Sequence, residues 1–388
     1  MPAHKKRRQT LAAAQAEGWQ NGYALGAESG YRLGRCESIM RQLPQEPVPV
    51  WDKKVLYVTS GKGLPYSPLD TAVIESIRPL VRELVWTQPT SELSLVAAQE
   101  NPDFVLVLDA MMLPPDQLDQ IRMWGIRTAV WLLDDPYYTD VTLNLALAFD
   151  YVFTMELNCV AFYIEHGCKN VHYLPMAVYP GMYRPKAVSA DNHRAVSFVG
   201  SGYWNRVNLF NSITPSLLKH DIHFSGLWWD RLASYRQLAR RINLNKWMQP
   251  EETSDYYNGS KIVINLHRAF DDEQFNNNSR GIRAISPNPR TFEISACGVL
   301  QLTDIRDDLS RFYIPDSEIV TYASAEELRD KLDYYLTHED ERREIALRGL
   351  NKTMREHTFT HRLSELFRVA FTDGEVQVAA QPEVDPVL

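Results

Sequence analysis

The sequence predicts an α/β protein built from two parallel-sheet domains, and three observations carry that expectation. The chain has 388 residues, and at about 150 residues per domain this length gives between two and three domains. Short unbroken apolar runs, such as Phe104-Val-Leu-Val-Leu-Asp109, alternate with helical stretches, the rhythm of strands buried on both faces of a parallel sheet. The rhythm stops in a segment rich in Pro and Gly, 175–192, and then starts again.

Residues 10 to about 43 read as one helix of good formers. Gly18, Gly22, Gly26, Gly30 and Gly34 recur along it at every fourth position. They make a smooth stripe flanked by Trp19, Tyr23 and Tyr31, at about 0.5 to 1 kcal/mol each against Ala. Something is expected to lie close against that stripe. One reading is a partner or second subunit in a homodimer; the other is intramolecular packing or a loosely attached appendage. The Pro-rich piece LPQEPVPV, 43–50, follows as a linker, so residues 1–50 form a helical extension.

The first domain is expected over 51–180. Its strands are Lys54–Ser60, Phe104–Asp109, Thr128–Leu133, Tyr151–Met155 and Val171–Leu174, with a helix to about Val85 after the first. The second domain, 190–357, repeats the pattern with Ala195–Gly200, Ile222–Gly226, Ile262–Leu266, Val299–Thr303 and Ile319–Tyr322. Both are Rossmann-like in rhythm. Helices follow at about 325–336 and 338–357, and a further one, 361–371, continues beyond what the second sheet needs. The tail 373–388 has acidic residues and no basic one, and is expected to be disordered.

Several classes are excluded. A formal net charge of -8 disfavours a general nucleic-acid binder, which needs many cations on one face. The longest apolar run, Cys159–Ile164, is far short of the roughly 18 to 20 residues of a membrane span. Lys5, Lys6, Arg7 and Arg8 are followed by Gln, Ala and Glu, not by the apolar core of a signal peptide, so a cytoplasmic protein is expected. Cys36, Cys159, Cys168 and Cys297 lie far apart with no CxxC pair, which suits reduced thiols and not zinc. Gly61-Lys62-Gly63 lacks the third glycine of a dinucleotide fingerprint, and no GxxxxGK[ST] appears.

In open parallel sheets, ligands bind beyond the carboxyl ends of the strands. After Phe198-Val-Gly-Ser-Gly202, the glycines Gly200 and Gly202 around Ser201 let backbone approach a phosphate, and Arg206 opens the next helix, a pairing that suits a diphosphate. A tight structural turn explains the same residues. The segment Asn288-Pro-Arg-Thr-Phe-Glu293-Ile-Ser-Ala-Cys-Gly298 puts a carboxylate on a helix running into the next strand. Glu293 can accept both hydroxyls of a ribose, or pair with Arg290 one turn earlier on the helix surface. Asp134 and Asp135 follow the third strand, as a base for an acceptor hydroxyl or as a helix cap. Asp-Asp-Pro is not the Asp-x-Asp that chelates a metal, and no metal is expected. His267 follows the strand 262–266, as a donor-phosphate or sugar contact or as a core histidine. Thr59-Ser-Gly-Lys-Gly-Leu-Pro65 is either a mobile loop over a ligand or a plain turn. Trp228, Trp229 and Trp247 stack a ligand or anchor a core.

These residues together resemble a known family. Trp131-Leu-Leu-Asp-Asp-Pro136, Phe198-Val-Gly-Ser201 with Arg206, Ile264-Asn-Leu-His267, Arg290-Thr-Phe-Glu-Ile-Ser-Ala-Cys-Gly298 and His357-Thr-Phe-Thr-His-Arg362 are similar to the CgeB-like (YkvP/CgeB, spore maturation protein) glycosyltransferases of the GT-B class. The resemblance implies two Rossmann-like domains facing across a cleft, the last helix (358–372) returning to the first domain. It implies a nucleotide-diphosphate sugar as donor substrate, UDP-glucose, UDP-GlcNAc or a dTDP-sugar, with no further cofactor. The acceptor is an unidentified glycan, protein or small-molecule hydroxyl, and a spore-surface role follows from the resemblance alone. Glu293 would take the ribose, Arg206 with Gly200–Gly202 the diphosphate, and Arg290 the donor. Retaining enzymes of this class often carry Glu-x7-Glu, yet position 285 is Ile; Arg280 or Arg283 is then a sugar or phosphate contact or part of a solvated loop, and the stereochemical outcome stays open. Retention, with the donor phosphate assisting the hydroxyl, is the leaning. A non-catalytic scaffold or spore-coat assembly protein is the second reading, and a sugar-nucleotide epimerase the third.

Overall fold

The apolar runs become strands. The computed structural model describes residues 2–44 and 47–372, with side chains placed from residue 13 onward; the expected disordered tail, 373–388, lies outside the described residues. The first sheet comprises β1 (Trp51–Val58), β2 (Val81–Thr87), β3 (Phe104–Leu108), β4 (Arg127–Leu132), β5 (Tyr151–Thr154) and β6 (Val171–Tyr173). Its order is β2-β1-β3-β4-β5-β6, with every pairing parallel. The second comprises β7 (Arg194–Val199), β8 (Ile222–Gly226), β9 (Ile242–Leu244), β10 (Ser260–Asn265), β11 (Leu300–Asp304) and β12 (Val320–Tyr322). Its order is β12-β11-β10-β7-β8-β9, again all parallel.

Two strands were not expected from the sequence. The stretch to Val85 is a short helix, Ser67–Ile77, followed by β2, which pairs with β1 from Val55↔Leu84 to Val58↔Thr87. The three-residue β9 closes the far edge of the second sheet.

The chain divides into two compact units. The β1–β6 unit also takes residues 273–284 and the last helix, Phe359–Thr372. That helix packs Phe367 against Trp51 at 5.6 Å and Phe359 against Trp131 at 5.9 Å, while Arg127 Nη1 donates to the Ala370 carbonyl at 2.8 Å. Strand β3 is buried along its whole length, as a central parallel strand covered on both faces must be.

The β7–β12 unit is centred on an aromatic cluster, Phe198, Phe210, Phe224 and Trp229. Trp229 thus anchors the core and does not stack a ligand. To this unit belongs the first helix, Pro2–Gln42. Its rear half is seated: Arg32 Nη1 donates to the Cys297 carbonyl at 3.1 Å, Arg35 pairs with Glu344, and Cys36 is buried against Gly298, where a Cβ would lie 2.7 Å from its sulfur. The glycine stripe corrects an expectation. Among the described residues, a Cβ at Gly18, Gly22, Gly26, Gly30 or Gly34 would meet nothing within 4 Å, so packing among those residues does not account for the spacing. Among the described residues, no helix is long and apolar enough to cross a membrane.

Candidate active site

A sheet whose strand order reverses leaves a crevice outside the carboxyl ends at the point of reversal. In the second sheet that point lies between β7 and β10. The chain leaves β7 through Gly200, whose φ of 149° belongs to glycine. A Cβ on Gly200 would stand 3.0 Å from Arg206 Nη1 and 3.1 Å from Arg290 Nη1, so two guanidiniums flank one turn. The turn is braced from behind, because Trp229 Nε1 donates to the Gly200 carbonyl at 2.8 Å. Arg206 is buried and fixed, Nε on the Leu266 carbonyl at 3.0 Å and Nη1 on the Ser201 carbonyl at 2.9 Å. Ser201 is buried as well. Gly202 plays a different part from the one expected: its N–H is committed to Leu227 O at 2.8 Å, and a Cβ would stand 2.9 Å from Trp228 O. It permits a close backbone crossing and offers no amide to a phosphate.

Arg290 and Glu293 ride on the helix Pro289–Ala296, and the local sequence explains that helix. Asn288 caps it, its side chain accepting from Thr291 N, Pro289 fills the first turn, and Gly298 follows the C-cap with φ 65°. Positions 290 and 293 fall on one face, three residues apart. Burial pushes the half-buried Glu293 carboxyl up to about 7, with the Arg290 guanidinium pulling it back. Tyr183 and Tyr257 sit in its field, and burial first, then Glu293, drives both phenols well above their ordinary range. The buried Tyr257 hydroxyl has no hydrogen-bond partner among the described residues.

The helix is aimed by a polar network that the sequence reading did not single out. Asn265, at the end of β10, donates through Nδ2 to Thr291 Oγ1 at 3.1 Å and to Asn288 Oδ1 at 3.2 Å, and its Oδ1 accepts from Asn288 Nδ2 at 2.9 Å and Arg290 Nε at 3.4 Å. Gln301 Nε2 donates to Thr291 O at 2.6 Å and Ser295 Oγ at 2.7 Å. His267 completes it and corrects its expected role. Nδ1 meets Asp304 Oδ1 at 2.6 Å, and Nε2 accepts the Asn288 N–H at 2.9 Å, so both ring nitrogens are committed within the fold. Burial holds the ring neutral despite Asp304, with the N–H on Nδ1. His267 ties the ends of β10 and β11 to the cap of the Arg290 helix. It is a positioning residue and not a sugar or phosphate contact.

The β1–β6 unit has its own reversal point, between β1 and β3. Lys62, in the loop after β1, reaches Asp109 Oδ2 at 2.6 Å and Asp134 Oδ2 at 3.6 Å. Tyr66 donates to Asp134 Oδ2 at 2.8 Å, and Lys62 Nζ lies 4.5 Å above the Tyr66 ring. Asp109 is fully buried, and burial raises its carboxyl to about 6 against the pull of Lys62. Asp109 and Ala110 both have positive φ, 69° and 64°, a cost of about 1 kcal/mol or more each that marks a turn held in place by its surroundings. Asp134 is the carboxylate with access to solvent, its side chain 21% exposed. Asp135 does not fit the expected role of base. It is sealed in, accepting from Thr154 Oγ1 at 2.6 Å, Tyr163 Oη at 2.9 Å and Thr142 Oγ1 at 3.3 Å, and burial raises it to about 6.

Arg283 lies in the segment 273–284, which belongs to the β1–β6 unit and not with Arg206 and Arg290. Its carbonyl accepts from Asn158 Nδ2 at 2.9 Å. Lys62, Asp109, Asn265 and Asp304 are the residues missed as chemistry; their one sequence signal was a place just beyond a strand.

Comparison with known proteins follows that geometry. Residues 206–368 match the family model described as glycosyl transferase-like. Spore protein CgeB of Bacillus subtilis (strain 168) is 31% identical over 309 residues, 79% of this chain and 95% of that protein. Among solved structures, Anabaena Alr3699/HepE in complex with UDP and glucose superposes with a TM-score of 0.56 at 11% identity, covering 82% of this chain and 99% of that one. AviGT4, a glycosyltransferase involved in avilamycin A biosynthesis, gives 0.56 at 14% identity over 82% and 98%. Sucrose-phosphate synthase from Thermosynechococcus elongatus gives 0.55 at 10% identity over 82% and 99%. At such identities the likeness is one of fold, the GT-B architecture of paired parallel sheets.

Proposed function

The chain belongs to the CgeB family, and from that premise we propose that it transfers a sugar from a nucleotide-diphosphate donor, a UDP-sugar before a dTDP-sugar, to a hydroxyl acceptor. The observation that carries the reading is the turn at Gly200, with the Arg206 and Arg290 guanidiniums on either side of it at a sheet reversal point. Two planar cations are what a leaving diphosphate needs, because negative charge grows on it as the glycosidic bond breaks; the Gly200 N–H is itself committed to the Ser225 carbonyl at 2.8 Å. Two guanidiniums can carry that charge without a metal ion, so the reading requires none. Glu293, one turn after Arg290, is the ribose contact.

In the β1–β6 unit we assign the acceptor, with Asp134 as general base. The acceptor oxygen attacks the anomeric carbon, its proton passes to Asp134, and the bond to the β-phosphate oxygen breaks with its electron pair leaving on UDP. A base of this kind makes the transfer a single displacement with inversion, against the retention suggested by resemblance. The anomeric configuration of the product, read by NMR, decides between them. The membership in a spore-protein family supports a spore-surface or cell-surface glycan as the acceptor class.

Glu293→Ala is expected to weaken UDP binding about tenfold by titration calorimetry, the effect of losing one charge-assisted contact; equal affinities would remove Glu293 from the site. The carboxyl near 7 adds a pH signature. Only the ionised carboxylate accepts both ribose hydroxyls with charge assistance, so affinity for UDP-glucose should fall by up to about tenfold from pH 8 to pH 6 in the wild type and stay flat in Glu293→Gln. A pure scaffold, the second reading, is favoured by the open glycine stripe; it would release no UDP from any sugar nucleotide in a donor panel.

A further inference from the structure

We propose that the cavity beneath the first helix is a second ligand site, for a small molecule with an apolar body and a single anionic head, a phosphate or carboxylate. The cavity holds about 290 Å³. It lies at the opposite end of the second sheet from the donor turn. Arg194, Lys261 and Leu300 stand at the starts of β7, β10 and β11, whereas Gly200, His267 and Asp304 stand at their ends. Five or six residues at about 3.3 Å each separate the two sites by ~15–20 Å.

Its walls are apolar on both sides, Leu25 and Tyr31 from the helix facing Val299, Leu300 and Leu347. Its charge is one-sided. Arg32, Arg35, Arg194, Lys261, Arg342 and Arg343 line it, against the carboxylates of Glu28 and Asp221. Most of these cations are satisfied within the fold. Arg35 pairs with Glu344, Arg32 donates to backbone carbonyls, and Arg343, Arg342 and Lys261 gather around the Glu28 carboxylate at 3.2, 3.5 and 3.8 Å.

Arg194 differs. It is 7% exposed, its guanidinium lies 3.7 Å over the Tyr256 ring, and Nε reaches the Asn192 carbonyl at 3.0 Å. Its Nη1 is buried with no hydrogen-bond partner among the described residues. A buried guanidinium N–H left unmet is costly, and a charged acceptor is its strongest partner. An anionic head within the cavity supplies that acceptor, and the Val299–Leu347 wall receives the rest of the molecule. Inorganic phosphate alone would leave the wall unfilled, and a neutral apolar ligand would leave Arg194 unmet.

The test uses the full chain and the fluorescent probe anilinonaphthalene sulfonate, which carries an aromatic body and one anionic group. Fluorescence titration should show one saturable site per chain, with hexyl phosphate displacing the probe and UDP leaving it bound. Leu25→Trp fills the cavity from a helix outside both cores and should abolish the site while the melting temperature holds. Arg194→Met should weaken the probe about tenfold, the loss expected for one charge-assisted hydrogen bond. Absence of saturable binding, displacement by UDP, or unchanged affinity in Leu25→Trp would each overturn the proposal. The last variant keeps the test decisive if Arg194→Met does not fold.

Discussion

Asp134→Asn should lower sugar transfer about a hundredfold or more while UDP affinity stays within about twofold of the wild type, the pattern of a lost general base. The side chains that touch Asp134 explain the separation. It accepts from Tyr66 and lies near Lys62, all in the β1–β6 unit, whereas the proposed nucleotide contacts are on β7–β12. Asparagine keeps the shape and the Tyr66 hydrogen bond but cannot take a proton. The comparison variant is Asp135→Asn, whose buried carboxylate is held by two threonines and a tyrosine. Its loss should appear in thermal stability before turnover. Steady-state release of UDP in the presence of acceptor, with calorimetric UDP binding, measures both. A fully active Asp134→Asn would remove Asp134 as the base.

Gly226→Ala is expected to destabilise the β7–β12 unit by about 3 kcal/mol and to remove nucleotide binding with it. Two physical terms add. Gly226 has φ 144°, which a side chain rarely adopts, and its Cβ would stand 2.3 Å from the Gly200 carbonyl oxygen. That oxygen already accepts from Trp229, so the backbone that carries the donor turn has nowhere to retreat. Gly63→Ala is the control. Its φ is 68°, but a Cβ there meets nothing within 4 Å, so only the conformational cost of about 1 kcal/mol applies. Denaturant melts of both variants check the difference. Equal losses would mean that the steric contact carries no weight.

The strands were legible wherever burial was two-sided. Phe104–Leu108 and Ile262–Ile264 read as strands because nothing polar interrupts them. Strand β2 hid because it is an edge: Arg82 and Glu83 are exposed, and its alternation merged with the helix before it. Strand β9 is three residues long and only partly buried. Gly200, Arg206 and Arg290 stood out because each sits next to a strand end or in the first turn of a helix, and the structure brings these three together; Glu293 stood out as a carboxylate on the helix leading into β11. Asp135 and His267 were equally well placed, but what they do depends on which atoms they touch. Thr154, Tyr163, Asp304 and the Asn288 amide are distant in sequence, and no local pattern announces them. Lys62 and Asp109 escaped for the same reason, each innocuous until the loop after β1 meets the turn after β3.

The hydrogen bond from Arg32 to the carbonyl of Cys297 makes the amino-terminal arm a strut for the helix bearing Arg290 and Glu293. That helix is clamped at its start by Asn288, Asn265 and His267 and at its finish by a residue 265 positions upstream. Thermodynamic reciprocity then binds the two: any free energy that favours the seated arm favours the aligned nucleotide helix by the same amount, and nucleotide binding steadies the arm in return.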